Sequence, residues 1–155
     1  MTRPALVIGL GNPDRGDDAV GVRIARKVAA ERLDVLALEF DDPSEALDAW
    51  TAEDTVIVAD AISSGGNPGD VHVIDVAERR LPGGSWSAGG THALGLGAIV
   101  ELARNLDLMP RTFVVVGVEA SRFDHGVPMS KAVEAAVPTA AQAVLTVIDG
   151  REGKP

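Results

Sequence analysis

Ala5 to Gly21 reads ALVIGLGNPDRGDDAVG. Ala5-Leu6-Val7-Ile8 is a short apolar run with β-branched residues, and Gly9 and Gly11 end it by permitting backbone angles closed to other residues. After Asp17-Asp18 the apolar positions become Val20, Ile24 and Val28, with Arg23 and Lys27 turned away, which is a helical period. A strand, a glycine-rich acidic turn and a helix thus follow one another directly. In open α/β sheets ligands gather in the crevice outside the carboxyl ends of strands, so this turn is the first place to look for chemistry.

Outward from it, the first helix is expected from about Asp18 to Arg32. Val35-Leu36-Ala37-Leu38 reads as a second buried strand that ends at Phe40-Asp41-Asp42. Asp42-Pro43-Ser44-Glu45 combines a capping Asp, Pro at the first helical position and Glu three residues after the cap, which predicts a short helix carrying Ala46, Leu47 and Trp50. Thr55 to Asp60 forms a third strand, again finishing in a carboxylate. The following AISSGGNPGD is too short and too rich in Gly and Pro for a helical crossover, so Val71-His72-Val73-Ile74 is expected to pair antiparallel near a sheet edge. Residues 79–90, RRLPGGSWSAGG, read as a loop in which Trp86 is either a partner contact or a small core plug.

Thr91 is a plausible cap for a helix bearing Leu94, Leu96, Ile99, Val100, Leu102 and Leu106. Gly95 and Gly97 weaken that helix by roughly 1 kcal/mol each and suggest close approach of its backbone to something. Thr112 to Gly117 is a clear strand, with Glu119 just beyond. Ser130 opens the last helix, with Val133, Val137, Val144 and Ile148 in period; Pro138 should kink or divide it. The order βαβαβ, β, αβα predicts a single three-layer α/β/α domain over residues 1–150, phosphorylase/hydrolase-like in build, with a frayed tail at 151–155. Its sheet should be five-stranded and mostly parallel, with one antiparallel strand and helices on both faces.

Composition bounds the function. The chain has 155 residues, 46% hydrophobic, enough for one core, and no stretch that reads as long enough to span a bilayer. Met-Thr-Arg-Pro leads straight into the first strand, so no signal peptide is expected and the reading is cytoplasmic. The absence of cysteine excludes disulfides, thiolate catalysis and zinc–thiolate sites. A net charge of −9 argues against nucleic acid, whose binders rely on Lys and Arg against phosphates. Acidic loops suit a cation, although a soluble acidic surface is the commoner reason for such a balance.

A dinucleotide fingerprint fails here, because Gly9-Leu10-Gly11 is followed by Asn12-Pro13-Asp14 without a third glycine, and Asp14, Asp17 and Asp18 would repel a pyrophosphate. Asp18 after the first strand, Asp60 after the third and His92 at a helix start would instead converge at one end of the sheet. Two oxygens and an imidazole suit a borderline divalent ion such as Ni²⁺ or Zn²⁺ and leave coordination positions open. Singly, each has an ordinary duty: Asp18 as a helix cap, Asp60 as a loop cap, His92 as a surface residue. His72, alternating with Val71 and Val73, should face the side opposite them in a structural or surface role, and His125 lies in a loop where it could border a peptide groove.

With these residues in place, the chain resembles the nickel–iron hydrogenase maturation endopeptidases, which remove a C-terminal extension from the hydrogenase large-subunit precursor. The similarity runs over nearly the whole chain. Gly9-Leu10-Gly11-Asn12-Pro13 with Gly16-Asp17-Asp18 and Gly21 matches the N-terminal signature, Val58-Ala59-Asp60-Ala61 the middle acidic motif, and His92 with Leu94-Gly95 the S/T-x-H-x-L-G-like segment. Gly117-Val118 and Phe123 to Ser130 resemble the C-terminal region. The resemblance implies that Asp18, Asp60 and His92 bind nickel carried by the substrate, with zinc or cadmium as surrogates. Relatives often have Glu at the first ligand; Asp is a methylene shorter. The resemblance also implies a cleavage role for Asp41, as in an aspartic-type endopeptidase, although relatives commonly continue Gly-Gly-Thr where this chain has Asp42-Pro43-Ser44. Asn12 and His125 are the expected substrate-binding positions, and the protein is expected to act as a monomer.

Two rival readings remain at this point. Peptidyl-tRNA hydrolases also begin with a strand and G-L-G-N-P, but continue into an aromatic, a basic patch and a histidine beside Asn, where this chain has Asp14-Arg15-Gly16-Asp17-Asp18. A non-catalytic chaperone for a metalated precursor would need Asp18, Asp60 and His92 but not Asp41.

Overall fold

The computed structural model describes residues 3–50, 55–78, 81 and 95–152. In chain order the elements are β1 (Leu6–Leu10), α1 (Val20–Glu31), β2 (Leu36–Phe40), α2 (Pro43–Trp50), β3 (Thr55–Ile62), β4 (Val71–Asp75), α3 (Leu96–Asn105), β5 (Thr112–Glu119) and α4 (Lys131–Glu152), with a 3₁₀ turn at Gly16–Ala19 ahead of α1. The sheet has five strands in the order β2-β1-β3-β5-β4. β2, β1, β3 and β5 run parallel, and β4 pairs antiparallel with β5.

Both faces of the sheet are covered, which is why its inner strands read as continuous apolar runs rather than alternating ones. On one face Val7, Ile57, Ala59, Val114, Val116 and Val118 pack against Val20, Ile24 and Val28 of α1 and Val133, Val137, Ala140, Val144 and Ile148 of α4. On the other, Leu6, Ile8, Leu10, Val56, Val58, Ile62, Phe113 and Val115 meet Ala46 and Trp50 of α2 and Leu96, Ile99, Val100 and Ala103 of α3. Trp50 and Phe113 stack at a tilt there, ring centroids 4.8 Å apart. From β1 the chain winds toward β2, and from β3 toward β5 and β4. The crevice between the carboxyl ends of β1 and β3 is therefore the switch point where ligands collect.

Several sequence expectations are corrected. β2 is not a buried inner strand but a sheet edge, with Leu36 44% exposed, because an apolar run does not reveal whether a further strand will cover it. β3 does not stop at Asp60: Ala61 and Ile62 stay paired with Val118 and Glu119, so Asp60 lies inside the strand. Leu102 and Leu106 are exposed rather than packed, since α3 turns Leu96, Ile99, Val100 and Ala103 to the sheet. Among the described residues a side chain at Gly97 would touch nothing.

The last helix also departs from expectation. It continues through Pro138 as one element and on to Glu152, past the expected tail boundary. Lys131–Gly150 is, by length and a mean hydropathy of 1.2, apolar enough to cross a bilayer, contrary to the composition reading; in this fold its apolar stripe packs on α1 and the sheet. Trp86 and the expected helix start at Thr91 lie outside the described residues.

Candidate active site

The β1 turn is built around its glycines. Gly11 has φ +127°, and a Cβ there would run into the Asp18 carbonyl; one at Gly21 would strike the Leu10 and Ala59 carbonyls. The start of α1 can therefore sit hard against the ends of β1 and β3. Within the turn, the Asn12 N–H donates to Asp18 Oδ2 at 2.9 Å, and the Asp14 N–H donates to Asn12 Oδ1 at 2.8 Å. The Asn12 side chain thus shapes the turn that presents Asp18.

Asp18 is 2% exposed and Asp60 6% exposed. The register places Asp60 one pair beyond Gly9–Ala59, level with Leu10, and on the α2/α3 face with Val58 and Ile62. Burial first, and then the charge of Asp18, push the Asp60 carboxyl well above the usual carboxylate range, against one hydrogen bond from the Ala61 N–H. Two buried carboxylates that repel each other form a donor pair that a divalent cation would relieve, and oxygen ligands suit such an ion. Arg15, 9% exposed, partly compensates: its Nη1 lies 3.8 Å from Asp18 Oδ2, while its Nε donates to the Phe123 carbonyl at 2.9 Å.

Asp41 is exposed and directly follows Phe40, whose carbonyl accepts the Gly11 N–H at 3.0 Å, so the end of β2 is bonded to the same turn. Its neighbour Asp42 caps α2 as expected, taking the Ser44 N–H and hydroxyl, each at 2.9 Å. His125 is exposed on a loop that is also tied to this rim, through the Gly126 N–H to the Asp14 carbonyl at 2.9 Å. Asn12, Asp18, Asp41, Asp60 and His125 therefore belong to, or adjoin, one end of the sheet. His92 lies outside the described residues; Gly95, three positions on, caps α3 on the face that Asp60 occupies.

Two acidic residues have roles that sequence reasoning missed. Asp17, 0% exposed, accepts the N–H groups of Ser121, Arg122 and Ser130 at 2.9, 3.0 and 2.7 Å, and the Ser130 hydroxyl at 3.0 Å. Burial alone would raise its pKa, but these bonds from Ser121, Ser130 and Arg122 together hold the carboxyl below its ordinary 3.8. Asp17 is the staple that fastens the β5–α4 loop, His125 included, to the β1 turn. Ser130, read as the opener of α4, spends its hydroxyl on Asp17.

Glu119, 2% exposed, anchors the loop between β3 and β4 by accepting the Ser64 N–H and hydroxyl. His72 Nε2 stands 3.4 Å from Glu119 Oε1. His72 faces away from Val71 as its alternation predicts, and that side is the one carrying Asp60. A doublet Asp17-Asp18 in a strand-to-helix turn, and a Glu closing the run TFVVVGVE, were the only signals available for these two anchors.

Comparison with known proteins places the chain in a family. The sequence profile of the hydrogenase maturation protease family (HycI) matches residues 42–147. The chain is 30% identical over 154 residues to hydrogenase 2 maturation protease of Escherichia coli (strain K12), covering 92% of this chain and 89% of that one. Among solved structures, the [NiFe] hydrogenase maturation protease HybD from Thermococcus kodakarensis superposes with a TM-score of 0.73 at 25% identity, over 94% of this chain and 99% of that one. The hydrogenase maturating endopeptidase HybD from E. coli shares the fold, with a TM-score of 0.75 at 23% identity over 96% and 93% of the two chains. These matches leave the peptidyl-tRNA hydrolase and chaperone readings without support: the chain belongs to the hydrogenase maturation protease family and is, like its relatives, a protease.

Proposed function

We propose that this endopeptidase removes the C-terminal extension of a nickel–iron hydrogenase large-subunit precursor after nickel has been inserted, and that it recognises the nickel itself. The observation that carries the reading is the buried, mutually repelling pair Asp18 and Asp60 at the switch point of the sheet. With His92 they would add two oxygens and an imidazole to an ion already held by the substrate. The nickel is then part of the substrate, and its arrival relieves the repulsion stored between the two carboxylates.

In this reading the chain's own residues divide the work. Asn12 and Arg15 hold Asp18 in place, through 2.9 Å and 3.8 Å contacts respectively. Asp41, exposed at the end of β2, takes a proton from the attacking water as general base. His125, on the loop that Asp17 staples down, borders the bound peptide. Water adds to the scissile carbonyl, the C–N bond breaks, and the released amine takes up a proton. No nucleophilic cysteine is available, as the chain has none, which agrees with attack by water.

The test is to incubate the purified protein with nickel-loaded and nickel-free precursor and follow the precursor's mass. The reading expects loss of the C-terminal segment from the loaded form alone. Equal cleavage of both forms refutes nickel recognition, and general digestion of casein refutes the restricted specificity.

A further inference from the structure

The carboxylates Asp18 and Asp60 share the switch point with a buried cation. Arg15, in the same turn, is 9% exposed, and a guanidinium is seldom buried so far unless it answers a particular charge. Its Nη1 lies 3.8 Å from Asp18 Oδ2, close enough for attraction and too far for a hydrogen bond. Asp18 Oδ2 takes a hydrogen bond instead from the Asn12 N–H, at 2.9 Å. Across the contact between them, Arg15 thus lends Asp18 a charge and not a bond.

The guanidinium is also anchored away from Asp18. Its Nε donates to the Phe123 carbonyl at 2.9 Å, and Phe123 belongs to the loop that Asp17 staples to the turn through Arg122 and Ser130. A cation entering beside Asp18 therefore has no hydrogen bond across that contact to break, but it meets a fixed positive charge. A metal–oxygen bond of about 2 Å added to the 3.8 Å contact puts such an ion about 6 Å from the guanidinium nitrogen. At that separation, repulsion between a doubly charged ion and a single positive charge weakens binding about tenfold even at the dielectric of water, and more where water is excluded. Arginine cannot shed its proton to relieve the repulsion.

We propose that Arg15 is a resident counter-ion that keeps Asp18 and Asp60 from loading with free divalent cations and reserves them for an ion delivered by the precursor. The second half of that statement rests on the proposed function; the first concerns this chain and a bare ion alone. A bare ion carries its full double charge toward the guanidinium and brings no other contacts. An ion held by anionic groups of the precursor arrives with its charge partly neutralised, and the polypeptide docked around it adds binding energy that offsets what repulsion remains. Arg15 is then a specificity-determining residue, which makes the protein a reader of the precursor's nickel and not a carrier of its own.

Calorimetric titration of the metal-free protein with a zinc or nickel salt alone tests this without any precursor. Arg15→Gln and Arg15→Met remove the charge, whereas Arg15→Lys keeps it; circular dichroism first establishes that each variant folds. Each neutral variant should bind the bare ion at least about tenfold more tightly than the unsubstituted protein, and Arg15→Lys should stay within about threefold of it. The gain should vanish in Arg15→Gln Asp60→Asn, which assigns it to the carboxylate pair and not to the acidic surface at large. With nickel-loaded precursor, added zinc should inhibit Arg15→Gln at a concentration at least about tenfold lower than it inhibits the unsubstituted protein.

Neutral variants that fold and bind the bare ion no more tightly overturn the proposal. So does a gain that Arg15→Lys shares or that survives Asp60→Asn, since neither would come from the guanidinium's charge on this pair. Failure of both neutral variants to fold overturns it as well, by making Arg15 a structural tie. Equal zinc inhibition of Arg15→Gln and unsubstituted protein overturns the reservation for a delivered ion. Nickel-loaded precursor left uncut by the unsubstituted protein defeats the proposed function instead, while the titration still decides whether Arg15 repels a bare ion.

Discussion

Replacing Asp17 should unfasten the site without touching any group that meets substrate. Its carboxylate takes three backbone N–H groups and one hydroxyl within 2.7 to 3.0 Å, all from residues 121–130. Hydrogen bonds to a charged acceptor are each worth about 1.5 to 3 kcal/mol net. Ser121 and Arg122 are exposed, so water takes up part of what Asp17→Ala removes, and a total loss of about 4 kcal/mol follows. That is a large share of the roughly 5 to 15 kcal/mol that stabilises a domain. With a urea slope near 2 kcal/mol per molar, the unfolding midpoint should fall by about 2 M. Asp17→Asn keeps one oxygen but turns its amide toward a donor, and should fall by about half as much.

The sign of the pH dependence is fixed by the lowered pKa of Asp17. Its stabilisation is complete above the unfolded value near 3.8 and is lost as pH falls through the lower folded value. The gap between the unsubstituted protein and Asp17→Asn should therefore be constant near neutrality and close in strong acid. Urea titrations followed by circular dichroism at pH 7 and at pH 3 and below measure both effects. A midpoint for Asp17→Ala within about 0.5 M of the unsubstituted protein at pH 7 would refute the reasoning.

Asp60 should behave in the opposite sense. Because its pKa is raised, its favourable contribution is present below the unfolded value and is lost as pH rises through the folded one, so Asp60→Asn should stabilise the metal-free protein at pH 7 and abolish processing; thermal melts across pH 4 to 8 should show the variant's advantage widening with pH. Asp41→Asn should retain binding to nickel-loaded precursor and slow cleavage by about 100-fold to 10,000-fold, as expected for loss of a general base, read by co-purification beside single-turnover rates. Gly11→Ala combines a positive φ with a collision at the Asp18 carbonyl and should cost more than about 2 kcal/mol, measured as a lowered urea midpoint.

Most of the architecture was legible because its signals are local. The apolar run at Leu6–Ile8, the Asp42-Pro43 helix start and the short Gly/Pro link before Val71 each prescribe one conformation, and the element order then leaves few topologies. Edges were harder. Leu36 looks like part of any inner strand, and only the position of β2 in the sheet exposes it. Asp18, Asp60 and Asp41 stood out as carboxylates closing strands, although Asp60 turns out to lie within β3. Asp17 and Glu119 escaped because their partners, Ser121 to Ser130 and Ser64, are more than fifty residues away in sequence. No local pattern announces a buried carboxylate whose task is to hold a distant loop.

The central claim concerns what the nickel meets. Asp41→Asn bound to nickel-loaded precursor would hold the complex before cleavage, where X-ray absorption at the nickel edge reads the ligands directly. The account predicts new oxygen and nitrogen neighbours at about 2 Å beside the ligands the substrate itself supplies, lost again in the Asp18→Asn Asp60→Asn background. A nickel spectrum identical in free and bound precursor would contradict it.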